Sequence, residues 1–246
     1  VGQGLSVLVQ TQTHNLLYDT GASWKQDKDT GNQILVPQLH RLGVQELNAL
    51  LISHNDDDHS GGATSVLAQY PNTHLIGSLP ADNPLWQQAR YNSPCATGQN
   101  WTWDGVYFEI LAPHPQDAVQ YQLKDNDLSC VLRINGQNKW QILLAGDIEK
   151  TAEALLVQRH ANKLPSTVIV APHHGSKTSS TQALIDATQA KWVIYTQGYR
   201  NRFKHPHPDV VQRYQQAGAH ALRSDATGGI TLHFTAQGNL QIDTAR

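Results

Sequence analysis

The 246-residue chain has no methionine, only two cysteines and three phenylalanines, and just 15% of its residues are charged. Two cysteines, Cys95 and Cys130, are too few for a disulfide scaffold and stand far from any C-x-x-C spacing, which excludes a zinc knuckle. A bond between them and a pair of free thiols are both open readings at this level, because sequence does not show proximity. No window supplies the ~18 consecutive apolar residues of a membrane span, and no charged-then-apolar leader opens the chain, which reads as soluble. A formal net charge of −2 excludes a global basic field, so a phosphate-rich partner would have to be held by local cations. The start at Val1 and the missing methionine suggest a piece excised from a longer protein, and leave open whether that longer protein has membrane spans of its own. The length suits one domain, 1–246, with a sizeable core.

What is present is strongly patterned. GLSVLVQ (4–10) and HNLLYDTG (14–21) read as a β-hairpin turning near Gln12 to His14. Residues 31–43 space Ile34, Leu35, Leu39 and Leu42 at helical intervals, with Pro37 in the first turn and Gly43 as the stop. LNALLISH is a buried strand and ATSVLAQY a helix that starts at Gly61 and Gly62. Residues 78–104, rich in Pro, Asn, Gln and Trp, read as loop with short strands. VYFEILA, LSCVLRI and KWQILLAGD are strands, the last two a hairpin through Asn135-Gly136. Helix EKTAEALLVQRH, strand STVIVAP, helix TSSTQALIDATQA, strand KWVIYT, helix PDVVQRYQQAG and strands HALRS, GGITLHF and NLQIDT complete the chain. Strands early and βα alternation late imply two sheets sandwiched between helices.

The most concentrated chemistry is SHNDDDHSGG (53–62), directly behind the apolar run LNALLI. His54, Asp56, Asp58 and His59 lie just past a strand end, where ligand-binding loops belong. Imidazoles and carboxylates at H-x-D-x-D-H spacing can converge on a divalent Zn²⁺, Mn²⁺ or Fe²⁺; without a cation the carboxylates would repel one another. The plainer alternative is an acidic turn capping the next helix, since Asp58 and Ser60 both suit an N-terminus, but capping does not ask for two histidines.

This pattern resembles the metallo-β-lactamase superfamily, whose signature is H-x-H-x-D-H after a strand. Further along, LLYDTG (16–21) is similar to that family's early strand-end Asp, LLAGDI (143–148) to its bridging Asp, and APHHGS (171–176) to its late metal-binding His. VGQG (1–4), PHHGSKTSS (172–180), YRNRFKHPHP (199–208) and RSDATGGI (223–230) narrow the resemblance to the metallo-β-lactamase-like C-terminal domain of the ComEC DNA-uptake family. The resemblance implies an α+β, αββα sandwich of two mixed sheets flanked by helices. It also implies an OB-fold domain and a membrane channel as partners, a role in natural competence, and degradation of the strand that is not imported. The location it implies is a soluble domain of an inner-membrane protein, on the periplasmic face if Cys95 and Cys130 are bonded, with no membrane insertion of this piece.

Carried over by residue, the resemblance implies two divalent cations, Mn²⁺ or Zn²⁺: one on His54 and Asp56, the other on Asp58, His59 and His174, with Asp147 bridging. His173 competes with His174, which is favoured because it directly precedes Gly175. Asp19 orients a ligand from behind, unless Asp-Thr-Gly is only a turn. Two departures stand out: Asp56 replaces the family's second His, and no third His occurs near Asp125 to Ser129, where Asn126, Asp127 or Ser129 would have to fill the gap. The resulting oxygen-rich site favours harder ions. Asp58 is the candidate to orient the nucleophile, and His205 or His207 to protonate a leaving oxygen. Lys177, Arg202 and Lys204 are candidates to grip phosphates of single-stranded DNA, Ser224 and Asp225 to reach the site, and Trp101, Trp103, Tyr199 and Phe203 to stack on bases. Against these stand a polar loop for KHPHP, a tight turn for RSDATGGI and core packing for the aromatics. The competing functions are a small-molecule phosphodiesterase, such as one for choline phosphate esters, and a catalytically weak DNA-binding or structural domain.

Overall fold

The short apolar runs become the strands of two facing sheets. The computed structural model describes residues 2–25, 28–137 and 139–245, so Val1 of VGQG lies outside the described residues. Strands β1 (Val7–Gln10) and β2 (Asn15–Tyr18) form the expected antiparallel hairpin, with Val7 opposite Tyr18. A separate small pair, β3 (Ser23–Lys25) and β4 (Lys28–Asp29), precedes a π-helical turn at Gly31–Leu35 that runs into α1 (Val36–Arg41). The helix expected over 31–43 thus begins with a wider turn, where Gly31 packs so closely on Gly62 that a Cβ would stand 2.2 Å from the Gly62 carbonyl oxygen.

Next come β5 (Ala49–Ile52), α2 (Asp57–Ser60), α3 (Ala63–Gln69), β6 (His74–Gly77), α4 (Leu85–Gln88) and β7 (Tyr91–Pro94). They complete a mixed sheet of order β1-β2-β5-β6-β7, parallel from β2 onward. The helical turn α4 stands in the stretch expected to be loop and short strands.

The second sheet begins with β8 (Asn100–Trp103) and β9 (Val106–Ala112), followed by the turn α5 (Asp117–Gln120) and strands β10 (Val131–Gly136) and β11 (Trp140–Leu144). After α6 (Lys150–His160) come β12 (Val168–Val170), α7 (Gln182–Thr188), β13 (Trp192–Tyr195), α8 (Pro208–Gln216) and β14 (His220–Arg223). The order is β14-β13-β12-β11-β10-β9-β8, antiparallel from β8 to β11 and parallel from β11 to β14. A single turn, α9 (Ser224–Thr227), leads to the hairpin β15 (Ile230–Phe234) and β16 (Leu240–Thr244). The β10–β11 hairpin turns beyond the expected Asn135-Gly136, which pair with Gln141 and Trp140 inside the ladder. Gly136 is there because the Trp140 indole lies where a Cβ would be, 2.0 Å from its nearest atom.

Alternation along the strands sorts the core into layers. Leu16, Tyr18, Ala49 and Leu51 face Phe108, Ile110, Leu132, Leu144 and Val170 between the sheets. Leu17, Leu50 and Ile52 point the other way, onto Leu39, Val66 and Leu67 of α1 and α3. On the far side Leu143, Ile169 and Val193 meet Leu156, Leu184, Val210 and Tyr214 of α6, α7 and α8. The arrangement is the αββα sandwich, each layer resting on apolar faces that single strands supply two residues at a time.

Between the sheets Cys95 and Cys130 form a disulfide, their Cα atoms 6.1 Å apart, which settles the open pairing. Trp101 and Trp103 also belong here: Trp101 stacks on Phe108 at 5.2 Å and Trp103 lies between Phe108 and His14. Core packing therefore replaces the base-stacking role expected for these two tryptophans.

Candidate metal centre

Five chain segments that emerge from the C-terminal ends of strands converge on one point, as open parallel sheets direct them to do. Asp19 follows β2, Ser53 and His54 follow β5, Asp147 lies beyond β11, His173 and His174 follow β12, and Thr196 follows β13. The turn α2 adds Asp58 and His59. Its approach requires Gly4, where a Cβ would come within 2.4 Å of the Asp58 carbonyl oxygen, and Leu5 N–H donates to that oxygen at 3.1 Å.

Three histidines are held by one nitrogen and aimed by the other. His59 Nδ1 is 2.7 Å from Asp19 Oδ2, His174 Nδ1 donates to the Thr196 carbonyl at 2.6 Å, and His54 Nδ1 lies 3.0 Å from Ser53 Oγ and 3.3 Å from Ser129 Oγ. Ser53 Oγ donates to Asp19 Oδ2 at 2.8 Å, which leaves its lone pairs for His54. All three Nε2 atoms therefore face into the pocket. They are buried without hydrogen-bond partners, as is Asp147 Oδ1.

Around them His59 Nε2 stands 3.2 Å from Asp147 Oδ1, His174 Nε2 3.4 Å from Asp58 Oδ2 and 3.7 Å from Asp147 Oδ2, and His54 Nε2 3.5 Å from Asp56 Oδ2. Two overlapping sets of ligand atoms result, His54–His59–Asp147 and Asp58–His59–His174, each within 4.8 Å of one another. Asp147, one oxygen toward His59 and the other toward His174, lies between them. Buried polar atoms without partners are costly, and inward lone pairs on imidazole and carboxylate are the donor set of a divalent transition metal. The residues fit such an ion.

The electrostatics agree. Burial works against a charge on His59, yet Asp147 and Asp19 hold its imidazole well above the ordinary range. Asp147 is likewise penalised by burial and still held well below the usual carboxylate range by His59 and His174. Asp58 is lowered against its burial by His174 and His59, and Asp56 by the neighbouring His54 imidazole. Positive charge is in demand at the centre of the cluster, and a metal cation answers the same demand as a proton on His59.

The remaining candidates divide into rim and frame. His173, a quarter exposed, turns Nδ1 to Glu149 Oε1 at 3.3 Å and sets Nε2 3.7 Å from Asp147 Oδ2. His205 faces His173 with ring centroids 5.9 Å apart, and burial together with His173 and His174 pushes it down to about 4. His207 caps α8 instead, its Nδ1 accepting from Asp209 N–H. Lys177 lies 3.8 Å from Asp209, and Arg202 and Lys204 are exposed on the loop before His205. Ser224 and Asp225, expected to reach the site, clasp Gln197: Ser224 Oγ bonds its N–H and carbonyl, and Asp225 Oδ1 accepts from its side chain at 2.6 Å. They brace the strand end that anchors His174 at Thr196.

Near the missing third histidine, Ser129 is in contact with His54 and accepts from Asp147 N–H at 3.0 Å, whereas Asp127 accepts from Glu149 N–H. Asn126 starts a single 3₁₀ turn, and its carbonyl accepts from Ser129 N–H. Burial pushes the Asp125 carboxyl up; it accepts from Asn55 N–H within electrostatic reach of His54 and Asp56. Sequence reasoning missed Ser53, Thr196 and Glu149, which act through ordinary side chains or a carbonyl. Only the position of Ser53, between a buried strand and His54, carried a signal.

Comparison with known proteins places this geometry. Residues 1–132 match the family model described as the metallo-beta-lactamase superfamily. The chain is 38% identical to competence protein ComA of Neisseria gonorrhoeae over 93% of its own length and 30% of the relative's. It is 35% identical to recombination protein 2 of Haemophilus influenzae over 100% of its length and 29% of the relative's. The chain therefore spans about 30% of these relatives. Those matches bear out the resemblance carried by the motifs. Among solved structures, a metallo hydrolase from the archaeon Ignicoccus hospitalis superposes with a TM-score of 0.59 at 14% identity, covering 100% of this chain and 98% of that one. That likeness shows the fold.

Proposed function

The chain belongs to the metallo-β-lactamase superfamily, and from that premise we propose that it is a metal-dependent phosphodiesterase that cuts DNA during uptake, as one domain of a longer membrane protein. The observation that carries the reading is the set of four buried, unpartnered ligand atoms, His54 Nε2, His59 Nε2, His174 Nε2 and Asp147 Oδ1, meeting in one pocket. His54, Asp56 and Asp147 would hold one cation and Asp58, His59, His174 and Asp147 another, Mn²⁺ or Zn²⁺, with Asp125 or Ser129 completing the poorer set. The chemistry that divalent cations bring to such a pocket is polarisation of a phosphoryl oxygen and activation of water.

The chain's own groups supply the rest. Asp58, a third exposed beside His174, is disposed to orient the attacking water. Asp19, Ser53 and Thr196 keep the Nε2 atoms aimed. His205 is uncharged at neutral pH before substrate arrives; the negative charge of an approaching phosphodiester would favour its protonation, and it could then serve the leaving oxygen. Lys177, Arg202 and Lys204 would contact flanking phosphates. The Neisseria gonorrhoeae relative is named a competence protein, which supports an uptake context; the strand that is degraded, an OB-fold partner and a membrane channel are proposed on the motif resemblance to the ComEC family. The Cys95–Cys130 bond favours an oxidising compartment, hence the periplasmic face.

The test is turnover by chelator-stripped protein of a labelled DNA strand and of bis(p-nitrophenyl) phosphate, with and without Mn²⁺ or Zn²⁺. Metal-dependent DNA cleavage lost in Asp58→Ala supports the reading. Turnover of the small ester alone would point to a small-molecule phosphodiesterase, and no turnover at all to a binding domain.

A further inference from the structure

Residues 199–205 form a loop whose exposed chemistry is not needed to hold a metal. Tyr199 is 66% and Phe203 52% exposed, an unusual display for aromatic rings beside a polar pocket. Each ring has a guanidinium over it: Arg200 lies 5.2 Å from the Tyr199 centroid and Arg202 4.8 Å from that of Phe203. Phe203 in turn lies nearly parallel to His205, centroids 5.8 Å apart at 12°, and His205 faces His173, whose Nε2 is 3.7 Å from Asp147. A file of three rings, Phe203, His205 and His173, thus runs from solvent to the ligand pocket.

The loop is built rather than loose. The Asn201 side chain closes it, donating to the His205 carbonyl at 2.8 Å and accepting from His205 N–H at 2.9 Å. Arg200 and Lys204 adopt left-handed backbone conformations, φ 54° and 58°, and His207 N–H donates to the Gly175 carbonyl next to His174. The loop is therefore pinned to the ligand-bearing turn itself. Three cations, Arg200, Arg202 and Lys204, fall within five residues of a chain whose net charge is −2.

We propose that this loop is a stacking rail for the unpaired bases of a single DNA strand, with Tyr199 and Phe203 as its platforms. The proposal rests on the reading of the pocket as a DNA phosphodiesterase site and names the form of DNA it takes. A ring face binds the face of a base, which a duplex hides in its own stack, and each such contact is sequence-tolerant. The guanidinium over each ring covers the face that a base would take; when displaced, it is one side chain's reach from the adjoining phosphate. An acidic protein segment would use the same cations but not the ring faces, and that difference is measurable.

The experiment is fluorescence anisotropy with an oligothymidylate and a blunt duplex of equal length, in chelator so that nothing is cleaved. The wild-type chain should bind the single strand more tightly, and the pair Tyr199→Leu with Phe203→Leu should weaken that binding by about tenfold or more while changing duplex affinity far less. Tyr199→Trp with Phe203→Trp should restore it, which separates loss of the ring faces from collapse of the loop. Equal affinity of the wild type for both DNAs, no binding of the single strand, or leucine variants that bind like wild type would each overturn the proposal. Because the readout needs no metal, absence of hydrolysis would sink the phosphodiesterase reading alone, and absence of ring dependence the stacking rail alone.

Discussion

Asp19 Oδ2 lies 2.7 Å from His59 Nδ1, and both side chains are wholly buried. The same carboxylate accepts from Ser53 N–H at 2.7 Å and from Ser53 Oγ at 2.8 Å, so one residue fixes the tautomer of one metal-facing histidine and, through Ser53, the orientation of another. Asp19 itself sits at φ 59°, a left-handed conformation that Asp tolerates better than most residues. Asp19→Ala is expected to weaken metal binding by about 10- to 100-fold, read by calorimetric titration of chelator-stripped protein. Unchanged affinity would reduce Asp19 to a turn residue.

The disulfide joins residues 35 apart, and its Cys130 follows Ser129, which touches His54 and Asp147. Loop-closure entropy assigns about 3–4 kcal/mol to such a link. Reductant or Cys95→Ser with Cys130→Ser should lower the urea midpoint accordingly. A midpoint indifferent to reductant would contradict it.

Glu153 is buried on α6 and accepts from Ser180 N–H at 2.5 Å and Thr181 N–H at 2.7 Å, tying down the end of the PHHGSKTSS loop. Removing the carboxylate leaves both donors unpaired. Glu153→Ala should cost about 2–4 kcal/mol, measured by chemical denaturation, and hydrogen exchange at residues 176–181 should quicken. A loss below about 1 kcal/mol would mean that water replaces the carboxylate.

His205 has a sign that can be worked out. Its folded value, about 4, lies below its ordinary 6.5, so within that window the unfolded chain takes up a proton that the folded chain does not. Its contribution to stability is level above pH 6.5 and is lost as pH falls toward about 4. In chelator, His205→Gln should therefore lose less stability than wild type between neutral pH and pH 4.5. Parallel curves would show that His205 is not desolvated.

Much of the architecture was legible because it rests on period and order. The β5 strand announced itself as ALLI, buried on both faces, and the βα alternation after Glu149 set out the parallel half of the second sheet. The stretches that bring the His and Asp cluster together were legible because His and Asp at strand ends have few other uses. What failed did so where a local signal served a distant contact. Asn135-Gly136 looked like a turn, yet Gly136 makes room for Trp140 across the ladder. Trp101 and Trp103 looked available for bases, yet alternation sends them to the sheet interface. Ser224 and Asp225 looked like site residues and instead hold Gln197. Thr196 was invisible because its contribution is a backbone carbonyl.

The central claim is that His54, His59, Asp147, His174 and Asp58 meet around divalent cations. Anomalous diffraction from crystals soaked in Mn²⁺ or Zn²⁺ tests it most directly. The expected result is anomalous density bordered by the His54–His59–Asp147 and Asp58–His59–His174 sets and absent in Asp147→Ala. A pocket free of anomalous density at saturating metal would contradict the claim.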